Sequence, residues 1–215
     1  NLIAVNQVVV IFIEGNKISV FAEHAIQGYL TADEVETALI NLSSQYPDII
    51  TLIELPNRTW EGRVSHAVRL RAGNKKNRAG VLFTGSMHAR EWGGSDICIS
   101  FIINLLNSYQ NNSSLIYGNK EYSAEQVHTI LESLDVFVFP DVNPDGKEYS
   151  QKQYLLWRKN RNPNGVMDEK RKGVDINRNF DFLWNSGIGT STKLEDETYK
   201  GTEPFSEPET KNVKY

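Results

Sequence analysis

His88 and Glu91 stand three residues apart in the segment Gly85-Ser86-Met87-His88-Ala89-Arg90-Glu91-Trp92. A neutral imidazole and a carboxylate both suit Zn²⁺, and a catalytic zinc takes three protein ligands and leaves a fourth position to water. This pair supplies two. The spacing alone arises readily by chance in a chain of 215 residues, and a loop histidine held by ordinary hydrogen bonds is the competing reading of His88. The order His-Glu-x-x-His is absent from the sequence, and the inverted order His-x-x-Glu-His is excluded because Trp92 follows Glu91.

A second group of candidates comes later: Asn143-Pro144-Asp145-Gly146, then Trp157-Arg158-Lys159-Asn160-Arg161, then Gly173-Val174-Asp175-Ile176-Asn177-Arg178-Asn179-Phe180. Arginine dominates here. A guanidinium offers a rigid fork of donors matched to a carboxylate, so Arg178 with the Asn177 amide beside it would form a carboxylate clamp. Taken singly, basic loop residues are most often solvated surface, and it is their combination that points to a site.

Such residues need a scaffold. Thr31 and Glu34 have capping-box spacing, and Val35, Ala38, Leu39 and Leu42 recur at helical intervals until Tyr46-Pro47, which predicts a helix. Residues 49–55, 64–72 and 79–84 read as strands, the last an apolar run ending at Gly85. Residues 95–109 predict a helix apolar on more than one side, and Ser123 with Gln126 opens another, over 123–133. Residues 134–139 form a nearly continuous apolar run ending at Pro140, the pattern of a strand covered on both faces. Alternating strands and helices predict an α/β domain with a mixed, mostly buried sheet and helices on both faces. From 140 to 204 the sequence loses its periodicity and reads as loop, a length that is usually functional. Residues 8–13 and 17–22, around Gly15-Asn16, predict a hairpin.

Composition limits the partners. There are 23 Lys and Arg against 27 Asp and Glu, a net charge of -4, so no basic field is expected to hold nucleic acid or an anionic membrane. The apolar run at 8–13 is too short to span a bilayer, and the first residues lack the basic region and cleavage site of a signal peptide. The lone cysteine, Cys98, has no internal disulfide partner and reads as a buried small hydrophobe. Asn-x-Ser/Thr sequons begin at Asn41, Asn57, Asn111 and Asn112.

Read in order, His88 to Trp92, Asn143 to Gly146, Trp157 to Arg161, Val174 to Phe180, and Tyr199-Lys200-Gly201 with Pro204-Phe205-Ser206-Glu207-Pro208-Glu209 resemble the signature blocks of the zinc carboxypeptidases of the A/B family. The resemblance runs over 29–215, the N-terminal part of that catalytic domain, with 1–28 left as an N-terminal extension. It implies a Zn²⁺-dependent peptidase that removes C-terminal amino acids from peptides or proteins. By the same resemblance His88 and Glu91 are zinc ligands, and Asp175 accepts from the second ring nitrogen of His88. Arg158 polarises the scissile carbonyl, Asn177 and Arg178 hold the substrate carboxylate, and Arg90 lines the site. An extracellular location follows from the same resemblance, which leaves the oligomeric state open.

The family pattern also has a third ligand, a histidine, and later a glutamate general base, for which no counterpart is found in these 215 residues. The remaining histidines, His24, His66 and His128, all precede the Arg158 block. The chain therefore reads as a fragment, inactive by itself, whose next strand would follow a helix begun near Ser206. Two other readings remain open: a non-catalytic relative that binds peptide C-termini, and a zinc amidase of the same fold. Side-chain preference at the substrate terminus is not legible.

Overall fold

The computed structural model describes residues 28–215; the hairpin expected over 8–22 lies outside them. Helix α1 spans Ala32–Gln45, and its capping box is formed in both directions: Thr31 Oγ1 accepts from the Glu34 N–H, and Glu34 Oε2 accepts from the Thr31 N–H at 2.8 Å. Val35, Leu39 and Leu42 face inward, as the helical spacing requires. Replacing Thr31 by Ala is expected to cost about 1 kcal/mol of stability, read as a shift in urea midpoint without a change in slope.

Strands β1 (Ile50–Glu54), β2 (His66–Leu70), β3 (Ala79–Thr84) and β6 (Leu134–Phe139) form one sheet in the order β1-β2-β6-β3. The β1/β2 and β2/β6 pairs are antiparallel, whereas β6 and β3 run parallel, with Val81 opposite Val136 and Thr84 opposite Phe139. The sheet is therefore mixed. Between β3 and β6 the chain crosses over through α2 (Gly93–Asn111), a short hairpin of β4 (Leu115–Tyr117) and β5 (Lys120–Tyr122), and α3 (Ala124–Ser133).

Period-2 alternation divides the apolar side chains between two faces. Val68, Leu70, Val136 and Val138 pack against Leu39 and Leu42 of α1, Ile99, Ile102 and Leu106 of α2, and Leu131 of α3. On the opposite face, Ala67 and Phe139 join Leu55, Val142 and Ile176, with Val213 of α5 (Pro208–Lys214) against them. Cys98 is buried in the first cluster, as its apolar segment predicts.

Among the described residues the apolar strand β3 lies at the sheet edge with β6 as its one neighbour, so Val81, Leu82 and Phe83 remain about two-fifths exposed. One feature departs from the sequence reading. The stretch from 140 to 204 is not all loop. It holds α4 (Pro144–Lys152) and three short 3₁₀ turns, Glu169–Arg171, Ile176–Arg178 and Trp184–Ser186. Helix α4 escapes a search for apolar periodicity because its buried positions include Asp145, Gly146, Lys147, Ser150 and Gln151. Its start is marked chemically: Asn143 Oδ1 accepts from the Gly146 N–H at 3.0 Å, and Pro144 occupies the first turn.

Candidate metal and carboxylate site

The parallel strands β3 and β6 end side by side at Thr84 and Phe139, and the segments that follow each of them supply the site. Gly85 continues the pairing, donating to Phe139 O at 3.0 Å and accepting from the Val142 N–H at 3.1 Å. It must be glycine: a Cβ there would lie 2.5 Å from Pro140 O and 2.7 Å from Gly94 O. The loop after it is tied to the later segment, with Asn143 Nδ2 donating to Met87 O, Ser150 Oγ donating to Ala89 O, and the Ala89 N–H donating to Arg158 O.

His88 sits in that loop, 8% exposed. Its Nδ1 is 2.9 Å from Glu91 Oε1, and its Nε2 is 3.3 Å from Asp175 Oδ1, a close contact without the alignment of a good hydrogen bond. Asp175 is fully buried and caps the 3₁₀ turn Ile176–Arg178, its Oδ1 accepting from the Asn177 N–H at 3.0 Å. Its other oxygen accepts from Arg158 through Nε at 3.1 Å and through a terminal nitrogen at 2.9 Å. Burial pushes the Asp175 pKa up, but the facing His88 ring and the Arg158 guanidinium outweigh it and hold the carboxyl below its usual range. The Asp175 carboxylate in turn raises His88, against the effect of burial. His88 and Glu91 thus form one connected set with the distant Arg158 and Asp175.

The donor chemistry of this set fits a zinc ion. One ring nitrogen of His88 converges with a Glu91 oxygen, while the other lies 3.3 Å from the buried Asp175 carboxylate, a placement that would orient a liganding ring. Two protein ligands are available there. Among the described residues, no group of three or more His, Cys, Asp or Glu is placed to hold a metal. His66 is engaged by Glu36 at 2.6 Å, and His128 lies on α3 against Glu132 and the Tyr109 ring.

The other candidates lie around this set. Asn177 and Arg178 share the 3₁₀ turn with Asp175, and the Arg178 guanidinium donates to Gly189 O at 2.7 Å and Asn177 O at 3.0 Å. Arg90 is held by Leu156 O and by both carboxylate oxygens of Glu197, at 2.8 and 3.1 Å. Sequence reading missed Glu197, since an acidic residue in the run Glu195-Asp196-Glu197 carries no periodic or motif signal. A depression lined by Tyr29, Arg90, Glu91, Trp92 and Ile97 opens beside the pair.

A mixed α/β domain with its polar constellation beyond the carboxyl ends of two parallel strands belongs to the α/β class that places ligands at that edge. Within that class, the chain belongs to the zinc carboxypeptidase family, whose sequence profile matches residues 35–215. Zinc carboxypeptidase A 1 of Anopheles gambiae is 34% identical over 185 residues, which are 86% of this chain and 38% of that protein. Carboxypeptidase B of Astacus astacus is 32% identical over 86% of this chain and 55% of its own length. Among solved structures, bovine thrombin-activatable fibrinolysis inhibitor in complex with tick carboxypeptidase inhibitor is 28% identical with a TM-score of 0.68, over 86% of this chain and 54% of that one. The carboxypeptidase A of Helicoverpa armigera gives 25% and 0.71, over 88% and 42%. The chain thus spans between about two-fifths and just over half the length of these relatives. The family implies Zn²⁺ as cofactor. Among the described residues, no helix is long and apolar enough to cross a membrane.

Proposed function

We propose that this chain is part of an exopeptidase that releases single amino acids from the C-termini of peptides, with His88 and Glu91 as two of its zinc ligands. The observation that carries the reading is the connected set His88, Glu91, Asp175 and Arg158, in which one buried carboxylate serves both the histidine and the arginine. A bound zinc ion supplies Lewis acidity toward the scissile carbonyl. Asp175 orients His88 and holds Arg158 through Nε and one terminal nitrogen. The other terminal nitrogen of Arg158 makes no hydrogen bond among the described residues, so it is free to donate to an oxygen on which negative charge develops. Asn177 and Arg178 bind the substrate's terminal carboxylate, for which Arg178 exchanges its backbone carbonyl partners, and Arg90 contacts the substrate from the rim.

On the same reading residues 1–215 alone hold zinc weakly and hydrolyse no peptide. Two ligands leave the ion largely hydrated, and a third ligand with a general base is needed for turnover. Secretion belongs to the proposal as well. The test is the native gene product: its mass, its zinc content, and its action on one peptide prepared as free acid and as C-terminal amide. Stepwise release from the free acid alone, abolished by a chelator and restored by Zn²⁺, is the expected result. A native product without zinc, or one that cleaves the amide equally well, overturns it.

A further inference from the structure

Lys147, on α4, has no part in the zinc reading, yet its side chain is fully buried. Burying an ammonium costs several kcal/mol, roughly, unless close partners compensate it. Asp141 Oδ2 is 3.6 Å from Nζ, and neither Asp141 oxygen has a hydrogen-bond partner among the described residues. The near partner is neutral: Nζ donates to Ser95 Oγ at 2.7 Å. The ammonium thus makes its short contact with a hydroxyl and a longer one with the carboxylate.

The hydrogen inventory then accommodates one continuous direction. An ammonium only donates, so Ser95 Oγ accepts from it, which leaves the Ser95 hydroxyl hydrogen available to Ser86 Oγ, 2.6 Å away. Ser86 Oγ also accepts from the Ser95 N–H at 3.0 Å, which leaves its hydrogen for Glu91 O at 3.3 Å. That same carbonyl receives the Gly94 N–H at 3.2 Å. Ser86 stands at φ +47°, a backbone region in which a serine needs support from its surroundings. The approach is close enough that a Cβ on Gly94 would lie 2.6 Å from Ser86 N.

We infer that Lys147 is a positioning residue for the His88–Glu91 pair: its buried ammonium polarises the relay Ser95, Ser86, Glu91 carbonyl and so sets the loop that presents both side chains. The inference rests on the zinc reading for what the loop presents, while the relay itself is measurable without metal.

The experiment is native-state amide hydrogen exchange on the metal-free native gene product. It compares the parent, Lys147→Met, Ser95→Ala, which keeps the Lys147–Asp141 pair, and the double variant Asp141→Leu/Lys147→Met. Relative to amides in β6, those of Gly94 and Ser95 are expected to exchange about tenfold faster in both single variants, as loss of a charge-assisted bond predicts. The double variant, with apolar groups in place of the buried pair, regains thermal stability but not this protection. Co²⁺ titration followed by visible absorption is expected to show about tenfold weaker binding in both single variants. Unchanged protection in Lys147→Met, or protection that returns with stability in the double variant, overturns the inference. A parent without a saturable Co²⁺ spectrum counts against the zinc reading instead, and the exchange rates still decide the role of Lys147.

Discussion

Replacing Asp175 by Ala is expected to destabilise the domain by about 3–5 kcal/mol, the range for removing one partner of a buried ion pair. The size follows from what the carboxylate holds. Its loss leaves the Arg158 guanidinium, with 15% side-chain exposure, without the anion on which two of its nitrogens converge. The Asn177 N–H loses its cap, and the buried Nε2 of His88 faces a void. Asp175→Asn keeps the volume and one acceptor but cannot serve Arg158 and His88 as an anion, so it should fall between the parent and Asp175→Ala. Zinc affinity should drop by about 10–100-fold in both, because the group that orients the histidine is altered. Urea denaturation and a competitive zinc titration measure the two effects separately. A loss below about 1 kcal/mol in Asp175→Ala would show that the set is held together by something other than this carboxylate.

Replacing Glu209 by Gln should stabilise the domain at alkaline pH and leave it nearly unchanged in acid. Glu209 is 1% exposed. Burial pushes its carboxyl up to about 8, partly offset by Asn160 Nδ2, which donates to Oε2 at 2.9 Å, while Oε1 has no hydrogen-bond partner among the described residues. The folded state therefore holds this proton more tightly than the unfolded chain, whose carboxyl titrates near 4.5. The contribution of Glu209 is complete below that value and disappears as pH rises through about 8. Glutamine keeps the shape and never ionises, so the two stability curves should meet near the acid end and separate by about 2–4 kcal/mol at the alkaline end. Asp141, which burial pushes up to about 6, adds a slope of the same sign that both proteins share. A difference between the two proteins that does not vary with pH would show that Glu209 is ionised throughout.

The neighbouring Glu207 shows why two glutamates two residues apart behave differently. Its carboxylate accepts from Trp60, Asn160, Asn162 and Ser206, with donor distances of 2.7–3.1 Å. Among the described residues, Glu209 has one side-chain donor. No sequence pattern separates the two, since the donors come from positions 60, 160, 162 and 206 and meet only in the fold.

The same limit decides what was legible elsewhere. Thr31 to Gln45 could be read because cap, period and stop are all local, and β6 because a six-residue run broken only by Asp135 and bounded by Pro140 has few alternatives. Helix α4 could not, since its inward face is polar and its buried groups are satisfied by distant partners such as Thr59, Ser95 and Leu30. Which strand forms the exposed edge was not legible, because an apolar run gives strand character but not the number of neighbours. The His88–Glu91 pair showed in its spacing. Asp175 and Arg158, 87 and 70 positions beyond His88, came only through the resemblance of ordered blocks, and the Lys147 relay gave no signal, because serine hydroxyls and one lysine have no distinctive spacing.

Residues 207–212 fasten segments made much earlier in synthesis: Asn212 accepts from the backbone and side-chain N–H groups of Asn57 and donates to its carbonyl, across a separation of 155 residues. At a translation rate of about 5–20 residues per second, Asn57 waits roughly 8–30 s for that partner. During this interval its carboxamide is open, and in a secretory compartment the sequon Asn57-Arg58-Thr59 is then a substrate for oligosaccharide transfer. Once Asn212 has docked, the acceptor nitrogen is engaged and Thr59 is buried against Asp145. In such a compartment, glycosylation at Asn57 and completion of the fold would therefore compete, the outcome set by timing during synthesis.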